Sequence, residues 1–482
     1  MNNTYRNKFT LIAGCVAMFW VTQATLIRSP VLGSEVESTR NRFLLLDSRV
    51  VASVQNAKLT LGTVKKHSAN PLFTEDKPWE KRFDNLYGNV IYDEEEKIYK
   101  CWYSPFTQDR SAKGKTMEER KTRYRPGPGR TMSICYATSK DGLTWVKPNL
   151  GLVDYKGSKA NNIVWMGPHG AGVHKDPYET DPSRRYKMVM QGVDTSTSAD
   201  GIHWAEAVHQ KTIGGHGDTH NNAFWAPTLN KYVLITRAWA QVNSQGKNRR
   251  VRVVSRSESP DFNNWTKAEN VIVPDQYEQQ PYAMPTFFHG GVYIGIIAVH
   301  HQPPVDRVWP ELAWSTDTKV WHRVAEGTPF IPLSENLLDY DYGCLYTCAN
   351  PIMLEDEIRI YYGASDYLHY GWRVGSLALA TLRPDGFAGY QQQSPDQAAV
   401  IKTTAIPYAG QAIRVSADIE PGGSVKVSLI DQDGQVISTA DTLVKTVTDG
   451  QLKLKQKIES NKIFLKFELI NAKLYSFSLG NR

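Results

Sequence analysis

The sequence predicts an all-β protein, a five-bladed β-propeller followed by a small β-sandwich. Three observations predict it: a hairpin that recurs five times, a tryptophan turn that recurs four times, and a change of character near residue 390. In the hairpin, two runs rich in β-branched and aromatic side chains flank a short polar turn. The fullest copy is 82–103, and shorter copies stand at 181–190, 229–235, 289–296 and 355–362. Running in step is a Ser-x-Asp-Gly-x-x-Trp element at 139–145 and 198–204, with looser copies at 257–265 and 315–321. Its tryptophans, Trp145, Trp204, Trp265 and Trp321, recur at a period of about sixty residues, the repeat expected of blades built from short strands.

The chain of 482 residues is long enough for two or three domains, and 22% charged against 41% hydrophobic residues describes an ordinary globular composition with a sizeable core. Residues 1–34 read as a signal peptide. Arg6 and Lys8 precede an apolar run from Phe9 to Val21, too short to span a bilayer, and small residues suited to cleavage follow. The expected location is secreted or periplasmic, with lipid attachment at Cys15 or an uncleaved anchor as alternatives. Three of the +7 formal charges lie in this leader, at Arg6, Lys8 and Arg28, so the rest of the chain is only mildly basic. It shows no nucleic-acid motif. No later stretch could span a membrane.

Residues 41–390 hold the repeats. One insertion interrupts them between Ser104 and Arg130, with Arg110, Lys113, Lys115, Arg120, Lys121, Arg123, Arg125 and Arg130 against three acids. It reads either as a solvated excursion or as a lid over an anionic substrate. Residues 391–396 read as a linker. Across 397–482, short alternating runs at 411–418, 424–429, 452–456, 463–469 and 473–478 suit the sandwich. Cys101, Cys135, Cys344 and Cys348 lack Cys-x-x-Cys spacing, so neither a zinc site nor any other cofactor is expected. A buried free thiol is the reading for Cys101 and Cys135.

Propeller inner strands present their ends to one central funnel. Reading back from each hairpin turn gives Asp84-Asn85, Lys175-Asp176-Pro177, Asp218-Thr219-His220, Glu278 to Tyr282, and Asp341-Tyr342. Acids recurring at one place in the repeat would converge, and converging carboxylates shift one another's pKa values. That is the equipment for glycoside hydrolysis, in which one carboxyl group gives a proton and another attacks or activates water. The expected catalytic set is Asp84, Asp176, Asp218 and Glu278, with Asn85, His220, Tyr282, Asp341 and Tyr342 binding substrate.

The early Asp84-Asn85, the Lys175-Asp176-Pro177 of the second blade and the C-terminal sandwich resemble the family 32/43/68 group of glycoside hydrolases. That resemblance implies Asp84 as nucleophile or base and Asp176 as the residue holding substrate hydroxyls. The expected third-blade Glu is missing, so the acid falls to Asp218 or Glu278. The expected partner is an oligo- or polysaccharide, anionic if the basic insert is a lid. Two further classes remain open. A glycan-binding propeller would use Tyr87, Trp225, Tyr282 and Tyr342 as sugar platforms. A glycoside phosphorylase would need an Arg or His cluster for phosphate, for which His216, His220, His300 and His301 are available.

Overall fold

A computed structural model describes residues 41–215, 217–456, 458 and 460–480. The signal-peptide reading therefore lies outside the described residues, as does His216. Half the chain is strand and 3% is helix, so the all-β class holds.

Strand pairing divides residues 89–382 into successive antiparallel meanders, the second and third of four strands each and the others with additional short strands. The first runs through Asn89–Asp93, Ile98–Tyr103, Thr131–Ser139 and Trp145–Val146. The second runs from Gly172–Lys175 to Val208–His209, and the third from Asn222–Ala226 to Glu269–Ile272. A fourth is centred on Val292–His301 and Arg307–Ser315. The fifth, centred on Ile358–Ser365 and Gly375–Leu382, is completed by Lys65–Lys66 and Phe73–Thr74 from ahead of the first meander. Joining the last meander to the start of the chain removes an exposed sheet edge.

Asparagines at the starts of inner strands stitch neighbouring meanders. Asn89 donates to the Ala171 carbonyl at 2.6 Å and accepts from the Val173 amide at 3.0 Å. Asn222 accepts from the Thr286 amide at 2.8 Å. The ring closes where the Ala349 amide of the fifth meander donates to the Gly88 carbonyl of the first, at 3.1 Å.

The four tryptophan elements occupy equivalent turns between the third and fourth strands. In each, one aspartate carboxylate (Asp141, Asp200, Asp261, Asp317) accepts from two following backbone amides and from the preceding serine hydroxyl. The residue after that aspartate has φ between 64° and 78°, which suits Gly142 and Gly201 and is forced on Phe262 and Thr318. At Gly201 a Cβ would also lie 2.5 Å from Trp102.

The division expected at residues 41 and 397 needs correction. Asn41–Leu44, Val51–Gln55 and Ala57–Leu61 pair with Lys462–Leu479, Ala399–Thr403 and Ala388–Gln392, so residues 41–61 belong to the C-terminal sheet. The short tail strands merge as well. Ile413–Ile430 and Lys462–Leu479 are each single strands of 18 residues, bent at Glu420–Gly423 and near Ile470. Residues 452–456 lie beyond the strand Val447–Gln451. Inward residues from both halves of the bend, such as Val415, Val427, Phe467 and Phe477, share one core.

Candidate functional site

The end of the ring at which the inner strands begin carries the candidate site. Residues 82–88 were expected to open the innermost strand, but that strand starts at Asn89. The segment before it is irregular, with Asp84, Leu86 and Tyr87 at φ 52°, 61° and 45°. Asp tolerates this left-handed region, whereas Leu and Tyr do so at a cost of order 1–3 kcal/mol each. Neighbouring structure compensates. The Ser104 amide donates to the Leu86 carbonyl at 2.8 Å, and glycines at 363 and 375 let the segment pack where a Cβ would lie 2.5–2.7 Å from Phe83 and Leu86.

Asp84 is clamped by two guanidinium groups. Arg82 donates to Oδ1 from Nε at 3.1 Å and from Nη2 at 2.8 Å, and Arg373 donates to it from Nη2 at 2.8 Å. Burial pushes the Asp84 carboxyl up, but Arg373 and Arg82 outweigh it and hold the group at about 2. Its side chain remains 25% exposed, so this ionised carboxylate is open to the funnel. Arg373 also donates to Asn85 Oδ1 at 3.0 Å, and Asn85 donates to the Tyr87 hydroxyl at 2.6 Å.

Across the funnel, Asp218 pairs with Arg237, and its backbone carbonyl accepts from His169 Nε2 at 3.0 Å. His169 stacks on Tyr87 with centroids 5.7 Å apart and feels the Asp84 charge, so both acids share one neighbour. Arg237 and Arg252 bracket Tyr282, 5.7 and 4.8 Å from its ring centre. Arg250 lies 4.3 Å over Trp239, on the same long hairpin. Tyr282 in turn packs against Tyr346 and His369, each at 5.3 Å. Behind it, His300 Nε2 donates to Asp306 Oδ1 at 3.1 Å, and the His300 and His369 rings are 4.0 Å apart.

Of the residues expected here, the structure brings Asp84, Asn85, Asp218 and Tyr282 together. Asp176 is elsewhere. Its inner strand, Gly172–Lys175, is complete before Asp176 instead of starting at it, so Asp176 follows the strand end; the adjacent Lys175 Nζ lies 2.9 Å from Asp93 at the far end of the first inner strand. The Asp176 carboxylate is fully buried, bonded to the Tyr232 hydroxyl and 3.3 Å from Lys187. A 780 Å³ cleft opens at that end, but this carboxylate is committed beneath it. Glu278 sits at the rim, within 3.5 Å of Gln245 at the hairpin tip. Asp341 is buried against Lys66 at 2.6 Å, and the Tyr342 carbonyl and ring are both taken by Arg307. Trp225 packs on Tyr178 and Tyr232 at the Asp176 end. His301 stacks on Trp309.

His220 lies under the floor, 2% exposed, with Nε2 2.9 Å from Asn89 Oδ1. Burial lowers its imidazole to about 3. It is therefore neutral when folded but protonates below about 6.5 when unfolded. Stability from this group is complete above pH 6.5 and is lost as pH falls toward 3, because the unfolded chain binds the extra proton. The expected loss is about 2 kcal/mol at pH 5. Urea midpoints at pH 7 and 5 measure it, and His220→Asn should flatten the difference; an equal pH dependence in that variant contradicts the assignment.

The basic insert is docked on the site. Its helix, Met117–Lys121, starts with a capping box of Thr116 and Glu119. Arg120 is buried and paired with Asp366 at 2.9 Å, while Lys121 is exposed and pairs with Glu118. Tyr124 lies under Arg82 at 3.5 Å, and Arg123 lies 4.5 Å over Tyr370. The residues that sequence reading missed are Arg82, Arg237, Arg252, Arg373, His169, Asp306 and His369. The run Lys247-Asn248-Arg249-Arg250-Val251-Arg252 was a visible signal. Arg373 and His369 had none.

Comparison with known proteins found no matching family model and no matching curated protein. Among solved structures, the chain is similar to an N-acetylgalactosamine deacetylase from F. plautii, at 12% identity and a TM-score of 0.45 over 66% of this chain and 95% of that one. It is similar to the catalytic domain of the Coprinopsis cinerea family 62 α-L-arabinofuranosidase, at 13% identity and a TM-score of 0.42 over 66% and 98%. A family 43 arabinoxylan arabinofuranohydrolase from Bacillus subtilis aligns over 87% of this chain and 99% of its own, at 11% identity and a TM-score of 0.39.

Proposed function

We propose that this protein is a glycoside-cleaving enzyme whose glycan substrate carries an acidic group, with Asp84 as base or nucleophile. The observation that carries the reading is the convergence of Arg82, Arg237, Arg252 and Arg373 with one open, ionised carboxylate among Tyr87, Tyr282 and Tyr346. Aromatic faces suit sugar rings, and guanidinium forks suit carboxylate, sulfate or phosphate oxygens. A propeller that only bound neutral glycan would not need four buried or half-buried guanidinium groups at one mouth.

The arrangement supports a division of labour. Asp84, ionised across the neutral range, accepts a proton from water or attacks the anomeric carbon. Asp218 begins paired with Arg237. An acidic substrate group that takes over Arg237 leaves Asp218 without its cation in a drying site, and such a carboxyl group gains a proton readily. Asp218 then has a proton for the leaving oxygen. Substrate binding in this way arms the acid.

A second reading rests on the same cluster. Inorganic phosphate held by Arg237 and Arg252 could itself attack, making the reaction a phosphorolysis. One assay separates the readings: uronate-bearing, sulfated and neutral oligosaccharides are incubated with and without inorganic phosphate, and products are resolved by chromatography. New reducing ends from acidic substrates, independent of phosphate, are expected. Sugar 1-phosphates formed only with phosphate support the second reading. Tight binding without cleavage of any panel member leaves a glycan-binding propeller. The leader would place this activity outside the cytoplasm, and N-terminal sequencing of exported protein that starts between about Thr25 and Glu35 is the corresponding test.

A further inference from the structure

We propose that His300, Asp306 and His369 form a binding site for one divalent transition metal ion of the zinc class. The three come from two separate parts of the chain. His300 is near the end of the strand Val292–His301, Asp306 ends the turn that follows it, and His369 lies in the loop after Ile358–Ser365. Their ligand atoms all lie within 4.8 Å of one another, and all three residues are buried.

The distances suit a shared ion. Ligand atoms held 2.0–2.1 Å from a tetrahedral ion lie about 3.3 Å from each other. His300 Nε2 and Asp306 Oδ1 are already 3.1 Å apart. A ring nitrogen of His369 must close by up to about 1.5 Å from the widest separation in the cluster, a movement of the order of a side-chain rotation. His369 Nδ1 is buried without a hydrogen-bond partner in a residue only 8% exposed. A buried imidazole nitrogen with nothing to bind is costly, and a metal would satisfy it.

The surroundings resemble an outer shell that orients ligands. Gln302 Nε2 lies 2.8 Å from His300 Nδ1, and the Tyr370 hydroxyl donates to Gln302 Oε1 at 3.3 Å. The Tyr370 amide donates to Asp306 Oδ2 at 2.8 Å, leaving Oδ1 to point at the histidines. The His369 amide donates to the Asp306 carbonyl at 2.9 Å, tying the two loops together. Metal binding needs His300 Nε2 free of its proton. That proton can move to Nδ1 if the Gln302 amide turns over to present its oxygen, so the site loads without net proton release from His300.

Two cations stand nearby, and they shape the chemistry. Arg373 shares the single carboxylate of Asp84 with Arg82 and donates to the His369 carbonyl, and Arg252 lies on the face of Tyr282, which packs against both histidines. Two imidazoles and one carboxylate leave the metal net positive, with coordination positions to spare. With Arg252 on the face of Tyr282 that packs against the histidines, the fourth position favours an anionic oxygen. The metal would add a Lewis acid to the arginine cluster. Metal binding itself stands apart from the glycan reading, and its test does not use activity.

The test is titration of the full chain, dialysed against EDTA, with Zn²⁺ by calorimetry and with Co²⁺ by absorption. One ion per chain is expected, with the intense visible bands of low-coordinate Co²⁺. His369→Ala and Asp306→Asn should each weaken binding by more than about 100-fold and abolish those bands. His209→Ala, altering an exposed histidine on the second meander, should bind as the parent does. Circular dichroism checks that each variant folds; if Asp306→Asn does not, His369→Ala alone decides. No saturable binding to the folded parent, or binding unchanged in His369→Ala, overturns the proposal.

Discussion

Asp84→Asn is expected to lower kcat by about 10³-fold or more on any substrate the parent cleaves, and to destabilise the protein as well. By side-chain size alone this substitution should leave folding nearly intact, since Asn keeps the volume and most hydrogen bonds. The structure changes that expectation. Asp84 is the shared anion for Arg82 and Arg373, whose side chains are each only 2% exposed. Removing the charge leaves two buried guanidinium groups facing one another, and breaking such a cluster costs about 3 kcal/mol. The two effects separate by measurement. Thermal melts report the stability loss, and kcat is taken at 20 °C per folded molecule. A variant that melts early yet turns over within about tenfold of the parent when folded would make Asp84 a structural anion, and the catalytic assignment would fall.

Arg252→Ala is expected to raise KM for an acidic substrate by about 100-fold while changing kcat far less. A charge-assisted hydrogen bond contributes about 1.5–3 kcal/mol, and the upper end corresponds to that factor. Arg252 suits the test because it is tied to Gln280, at 3.1 Å, rather than to an acid. Its loss leaves no carboxylate stranded. Arg252→Lys should recover part of the loss, since it keeps the charge without the planar fork. Raising salt should weaken parent and Arg252→Lys more than Arg252→Ala. Equal effects on neutral and acidic oligosaccharides would show that Arg252 supports the aromatic wall rather than an anion.

The repeats were readable because each blade must solve the same local problem. A Ser and an Asp two residues apart can bind the amides of a tight turn wherever they occur, so the four Trp turns are visible in any copy. Hairpins share this property, since polar turns and alternating apolar residues are local. Where a strand begins and ends was not local. Asp176 looked like the start of an inner strand because it precedes the 181–190 hairpin copy, but the strand before it was already complete at Lys175. The reading therefore placed a funnel acid at the wrong end of its blade. Likewise, residues 41–61 show alternation that fits a first blade equally well. Only their pairing with Ala388–Gln392, Ala399–Thr403 and Lys462–Leu479 assigns them to the C-terminal sheet.

What the sequence by itself determined was the class of fold; its reading of the chain also pointed to one residue of the candidate site, Asp84, and to the neighbourhood of Asp218. Both follow from short-range pattern, turn chemistry and the period of the repeat. The electrostatic character of the site was decided only by the tertiary structure. Asp84 and Arg373 are separated by 289 residues, and His300 and His369 lie on different meanders. Ring closure brings such residues within a few ångströms, where low dielectric turns isolated charges into a clamp and neutral imidazoles into a candidate metal site. No local spacing encodes that, because it depends on which ends of distant strands meet around one axis.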